Sequence, residues 1–223
     1  MELDFRVPTQ HQVQRDWSPY SMNGGTVLAL AGEDFAVIAS DTRLSEGFQI
    51  YSRDYPKTYQ LSDNMVLGCC GFHGDVLTVT KNIKSRIKDY EHLHRKKMSC
   101  AAVAQRLSVM LYSRRFFPYY AFNILAGLDN EGESVTVGVT NVRSSLVLPV
   151  TYYTHTHTHQ GEIGLKNQSG AEEVPLSQDK AVALVQDVFS AAAERDIYTG
   201  DGLEICVITA AGVDMKRVPL RRD

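Results

Sequence analysis

The chain has 223 residues, 43% of them hydrophobic and 22% charged, the balance of a soluble globular protein with one large core or at most two small ones. A formal net charge of −3 leaves no basic field to hold nucleic acid or anionic lipid. The longest apolar runs, residues 26–31, 35–39 and 206–211, are strand-length and far too short to span a bilayer.

Residues 1–22 mix charges, Gln, Pro and His without the apolar centre of a secretory signal, and the first sixteen read as a polar tail. Asn23-Gly24-Gly25 reads as a turn. Residues 26–31 and 34–40 flank Gly32-Glu33 and predict a hairpin; both runs are nearly continuous in apolar residues, so both faces of that sheet should be covered. Strand signals follow at 48–52, 58–61 and 65–70. From 75 to 93 the period changes, with Val76, Leu77, Val79, Ile83, Ile87 and Tyr90 at helical spacing. A second helix is predicted over 99–116, capped by Ser99, stopped by Pro118, with Ala102, Val103, Leu107, Met110 and Leu111 inward. Strands at 122–128 and 134–140 flank a turn at 129–132. Ser177 then caps a helix whose Ala181, Val182, Leu184, Val185, Val188 and Phe189 share a face. Strands at 203–209 and 216–220, about a turn at Ala211-Gly212, close the chain. Strand blocks segregated from helix blocks predict a layered α+β sandwich.

Four cysteines, Cys69, Cys70, Cys100 and Cys206, lie among apolar neighbours without CxxC spacing, as buried free thiols of a reducing intracellular compartment do. Residues 154–159 hold three of the seven histidines in the run Thr-His-Thr-His-Thr-His. At i, i+2 and i+4 they would share one face of a strand, which suggests a metal site. No carboxylate or thiol lies within the run, however, and a structural zinc site wants four ligands. The codons ACA and CAC also spell a dinucleotide repeat, so we hypothesise translated repeat sequence, from a retained intron, an alternative exon or a faulty gene model. A transcript spliced from near Glu133 to near Ile163 would support that origin; one continuous exon would count against it.

Four motifs, Gly24-Gly-Thr-Val-Leu-Ala29, Ala39-Ser-Asp-Thr-Arg-Leu-Ser-Glu-Gly47, Gly68-Cys-Cys-Gly-Phe-His-Gly-Asp75 and Glu194-Arg-Asp-Ile-Tyr-Thr-Gly-Asp201, resemble the beta subunits of the 20S proteasome core, which are N-terminal nucleophile hydrolases. Tyr112-Ser-Arg-Arg-Phe-Phe-Pro-Tyr-Tyr120 and Gly127-Leu-Asp-Asn-Glu-Gly132 narrow the resemblance within that family, and it spans roughly 17–133 and 163–223. It implies a four-layer αββα sandwich of two antiparallel sheets: a prosegment or tail over 1–16, then one domain over 17–223.

The resemblance also implies a threonine nucleophile whose own amine takes up the proton, assisted by a lysine that lowers its pKa and by orienting aspartates and a serine. That nucleophile lies sixteen residues before the Asp41 of the Asp-Thr-Arg motif, which is Gly25 in this chain. Lys57 falls at the activating lysine, and Asp196 and Thr199 at the late aspartate and serine. The expected site is therefore vestigial, Gly25, Asp41, Lys57, Asp196 and Thr199, with no catalytic residue, no cofactor and no metal. Thr26 is the rival nucleophile. Using it demands a one-residue slip that reverses every side chain's face and takes Val27 and Leu28 from their packing sites. Simpler roles are an ion pair for Lys57 and Asp41, a helix end for Asp196, and a tight strand-to-helix turn for Gly71 and Gly74. Arg114, Arg115, Phe116, Phe117, Tyr119 and Tyr120 read as core or as interface anchors.

Residues 138–162 depart from the family. Relatives there complete a strand pair, carry a Gly-Ser turn and begin a further helix, and none of that is recognisable. A short strand over 146–150 is the exception, confined to an edge by Pro149. The implied function is structural: a non-catalytic beta subunit in a 28-subunit barrel of four rings, alongside other alpha and beta subunits. It would support ATP- and ubiquitin-dependent protein degradation in cytoplasm and nucleus, without nucleic acid or membrane. The alternatives are an active threonine peptidase using Thr26 and a metal-binding variant using the Thr-His run.

Overall fold

The computed structural model describes residues 18–128, 135–140, 145–148, 152–155, 160–162 and 176–222. The predicted hairpin forms from β1 (Thr26–Ala31) and β2 (Ala36–Asp41). Next come β3 (Leu44–Glu46), β4 (Gln49–Ser52), β5 (Thr58–Ser62) and β6 (Met65–Gly71), then helices α1 (His73–His94) and α2 (Cys100–Tyr112). Strands β7 (Ala121–Leu128), β8 (Val135–Thr140), β9 (Ser145–Leu148), β10 (Tyr152–His155) and β11 (Gln160–Glu162) precede α3 (Gln178–Arg195), β12 (Gly202–Thr209) and β13 (Gly212–Pro219).

All strand pairings among the described residues are antiparallel. One sheet runs β11-β10-β1-β2-β12-β13, another β5-β6-β7-β8-β9, and β3-β4 is a separate two-stranded ribbon. The period-2 alternation of strand side chains assigns each face. Val27, Ala29, Ala36, Ile38, Cys206 and Ile208 meet Val66, Cys70, Ile124, Ala126 and Leu128 between the sheets. Leu28, Leu30, Val37, Ala39, Leu203, Ile205 and Val207 face outward onto Ala181, Val185 and Phe189 of α3. Met65, Leu67, Cys69 and Leu125 face α1 and α2 through Val79, Ile83, Val103, Leu107 and Leu111. The layers are thus helices, sheet, sheet, helix, and both faces of β1 and β2 are covered because both are packed.

Local signals explain the ends. Ser99 accepts the Ala102 amide at 3.3 Å as the N-cap of α2, the arrangement that satisfies a first-turn donor. That helix stops at Tyr112, four residues before the expected end, where residues 113–117 form turns ahead of Pro118. Ser177 does cap α3, without a side-chain hydrogen bond. Gly71 lies at φ 118°, and a Cβ there would stand only 2.6 Å from the Tyr120 carbonyl oxygen, so the strand-to-helix turn needs glycine. Gly74 instead lies inside the first turn of α1 with no left-handed conformation. Gly71→Ala is expected to lower stability by about 1–3 kcal/mol, read from denaturant unfolding.

The departing segment contains more strand than expected. The strand expected over 146–150 forms as β9 over Ser145–Leu148 at the edge of its sheet, with Pro149 outside the described residues, but β10 and β11 also form and extend the first sheet beyond β1. Tyr152, Tyr153 and the β-branched Thr154 suit a pleated sheet, so the first two residues of the Thr-His run end a strand, and the rest of the run lies outside the described residues. The last hairpin turns at Ala210-Ala211, so β13 starts four residues earlier than predicted. The tail over 1–16, the turn at 129–132 and residues 163–175 lie outside the described residues. No described helix is long and apolar enough to cross a membrane.

Candidate functional site

The end of β2, the strand β5 and the start of β1 converge on one buried ion pair. Lys57 Nζ lies 2.9 Å from Asp41 Oδ1, their side chains 6% and 0% exposed. The ammonium also donates to the carbonyls of Asp41 at 3.2 Å and Arg43 at 2.8 Å, using all three of its protons. Asp41 Oδ1 accepts the Thr26 amide at 2.8 Å, and Oδ2 accepts the Arg43 amide at 3.1 Å. Burial pushes the Asp41 carboxyl up, while the Lys57 ammonium and these amides pull it down.

Gly25 faces this pair. A Cβ placed on it would lie 2.2 Å from Lys57 Cε and 2.9 Å from Nζ, so position 25 is the one whose side chain would meet the lysine. Its φ of 98° is a conformation that side-chain-bearing residues avoid. Thr26 is fully buried and its hydroxyl lies 2.6 Å from the Thr199 hydroxyl. Thr199 donates its single proton to Asp196 Oδ2 at 2.5 Å, so Thr26 is the donor to Thr199. The chain Thr26, Thr199, Asp196 thus directs the Thr26 proton toward the α3 end of the site. Asp196 is also the C-cap residue of α3, as the simpler reading expected.

Four of the five residues picked from sequence therefore form two groups, Lys57 with Asp41 and Thr199 with Asp196, joined by Thr26, whose amide serves Asp41 and whose hydroxyl serves Thr199, while Gly25 lies against Lys57. Sequence reading missed the arginine-carboxylate cluster beside them. Asp201 accepts Arg43 Nε at 2.7 Å and Arg53 Nη1 at 2.5 Å. Burial would raise the Asp201 pKa, but the two guanidinium groups outweigh it and hold the carboxyl low. Asn23 was also missed, since an asparagine before Gly-Gly looks like turn chemistry and nothing more.

The thiols of Cys69, Cys70, Cys100 and Cys206 are all free and buried, and burial pushes Cys70 up to about 12. None is a poised nucleophile. No group of three or more His, Cys, Asp or Glu able to hold a metal occurs among the described residues; His157 and His159 lie outside them. The Arg-aromatic run is at the surface. Phe116 is 100% and Phe117 62% exposed, and Arg114 lies over the Tyr119 ring at 5.7 Å.

Comparison with known proteins gives the same direction as the geometry. A family model described as "Proteasome subunit" matches residues 21–141. The chain is 52% identical over 234 residues to a protein named proteasome subunit beta type-1-B from Carassius auratus, covering 100% of this chain and 94% of that one. It is 50% identical to proteasome subunit beta type-1 from Danio rerio, with the same coverage. To proteasome subunit beta type-1 from Arabidopsis thaliana it is 46% identical over 221 residues, covering 93% of this chain and 97% of that one.

Proposed function

Because this chain belongs to the proteasome subunit family, we propose that it is a non-catalytic beta subunit of the 20S core that occupies a ring position and helps line the proteolytic chamber. The observation that carries the non-catalytic reading is Gly25. The residue whose side chain would meet Lys57 has no side chain, and the neighbouring hydroxyl, on Thr26, is buried and committed to Thr199. Covalent catalysis needs a nucleophile and a base in reach of each other. Here a lysine and an aspartate remain as a structural ion pair that anchors the start of β1 to the end of β2.

The subunit works with other alpha and beta subunits in the 28-subunit barrel, and the exposed Phe116 and Phe117 beside Arg114 and Arg115 suit a subunit contact. Residues 1–16 are a prosegment trimmed by active neighbours. Four free thiols fit work in the reducing cytoplasm and nucleus.

A β-lactone that acylates threonine nucleophiles tests the chemistry. Intact-mass analysis of the treated chain is expected to show no adduct, and an adduct mapped to Thr26 would overturn the reading. Incorporation is tested separately. Trypsin releases residues 144–166 as one peptide containing the whole Thr-His run, and 116–143 as another. Purified 20S particles from cells expressing the chain are expected to yield both; 116–143 without 144–166 would assign the ring position to a conventional form of the subunit.

A further inference from the structure

Residues 20–25 reach β1 as a strap that belongs to no strand, yet most of them are individually fastened. The Tyr20 ring lies against Phe117 and Tyr120, with centroids 5.7 and 5.6 Å away, and its hydroxyl donates to the Pro118 carbonyl at 2.7 Å. The Ser21 hydroxyl donates to the Glu46 carboxylate. Asn23, 7% exposed, clamps in two directions: Nδ2 donates to the Ser45 carbonyl at 3.1 Å, and Oδ1 accepts the His73 amide at 2.9 Å. The Gly24 carbonyl accepts the Gly71 amide at 3.4 Å. At Gly24 a Cβ would stand 2.4 Å from the Tyr198 side chain, so the strap also lies tight against the loop after α3.

Under this strap a cavity of about 10 Å³, room for roughly one water, is lined by Asn23, Gly24, Tyr55, Lys57, Tyr59, Cys69, Cys70 and His73. The Ser45 carbonyl, the Gly71 amide and the His73 amide come from three separate elements, β3, β6 and the first turn of α1. They are main-chain groups of the kind an extended peptide pairs with when it binds beside a sheet. The strap engages all three.

We infer that Tyr20–Asn23–Gly24 is an internal plug: it closes the cavity beside Lys57 to any extended peptide, independently of the missing nucleophile. Closure and lack of a nucleophile are separate barriers. Tyr20 holds the strap down by its ring, Asn23 by its two-way clamp, and release of both opens that cavity while the sheets stay paired.

The four free thiols provide the readout. Cys69 and Cys70 line the cavity beneath the strap, whereas Cys100 and Cys206 are buried away from it. The purified full chain and its Tyr20→Ala/Asn23→Ala variant are treated with methyl methanethiosulfonate, and each thiol is followed by peptide mass spectrometry. All four are expected to be protected in the unaltered chain. In the variant the Cys69/Cys70 peptide is expected to react at least about tenfold faster, with Cys100 and Cys206 unchanged. Unchanged Cys69 and Cys70 would overturn the inference, and so would a parallel rise at all four, which would make the strap part of the core's cooperative unit. Reaction at Cys69 or Cys70 in the unaltered chain, at the variant's rate, would overturn it as well.

Discussion

Lys57→Met is expected to destabilise the chain by about 3–5 kcal/mol at neutral pH, the cost of stranding one charge of a buried pair. Asp41 would keep the Thr26 and Arg43 amides but lose the ammonium that opposes its desolvation. The carbonyls of Asp41 and Arg43 would lose a donor too. The pH dependence has a definite sign. Burial raises the Asp41 pKa already, and without Lys57 only the Thr26 and Arg43 amides oppose the rise, so the stability of the variant is lost as pH rises through that pKa and recovered as pH falls through it. Denaturant titrations of the variant and the parent from neutral to acid pH should therefore converge on the acid side. Adding Asp41→Asn to Lys57→Met should recover more than half of the loss, because the stranded charge is gone. Additive losses in the double variant would show that packing, not charge, dominates the site.

Asp201→Asn is expected to cost about 3–5 kcal/mol, since it leaves the Arg43 guanidinium, whose side chain is 3% exposed, without its carboxylate. Arg53, half exposed, contributes little of that, because water screens it. Asparagine tolerates the left-handed backbone at this position, φ 68°, so the substitution removes charge without adding much strain. Here the linkage runs opposite to that of Asp41. The Asp201 pKa is held below its ordinary value, so its contribution is present above the usual carboxylate range and disappears as pH falls through the folded pKa. The parent should lose stability below about pH 4, and the variant should have a flatter profile in that window. A variant as acid-sensitive as the parent would place the acid transition elsewhere.

These two carboxylates also show which features of the chain are legible from sequence. Asp41, Lys57 and Gly25 are found because their spacing is local and repeated in a family with a known pattern. Asp201 and Arg43 are 158 positions apart and meet only because β12 pairs beside β2, so no periodicity announces them. The β1–β2 hairpin, α1 and the Ser99 cap are legible because hydrophobic period and capping chemistry are properties of short windows. The end of α2 is not, since residues 113–117 have helix-compatible composition and leave the helix through turns ahead of Pro118. β10 and β11 were obscured because Tyr152–His155 and Gln160–Glu162 are four and three residues long and lack the apolar alternation that marks a strand, even though β10 pairs with β1 and β11 with β10.

The outer strand β13 has a consequence for the chain before it finds its neighbours. An eight-residue sheet edge is an open template for strand addition, the route by which unassembled chains coalesce. Asp214, Lys216 and Arg217 are exposed along this edge, and Pro219 closes it with a residue that has no amide proton. A second strand arriving there would have to strip water from three charges and would find a donor missing at the end of the ladder. The edge therefore discourages self-association, so a newly made copy can wait in solution for partners of a different sequence.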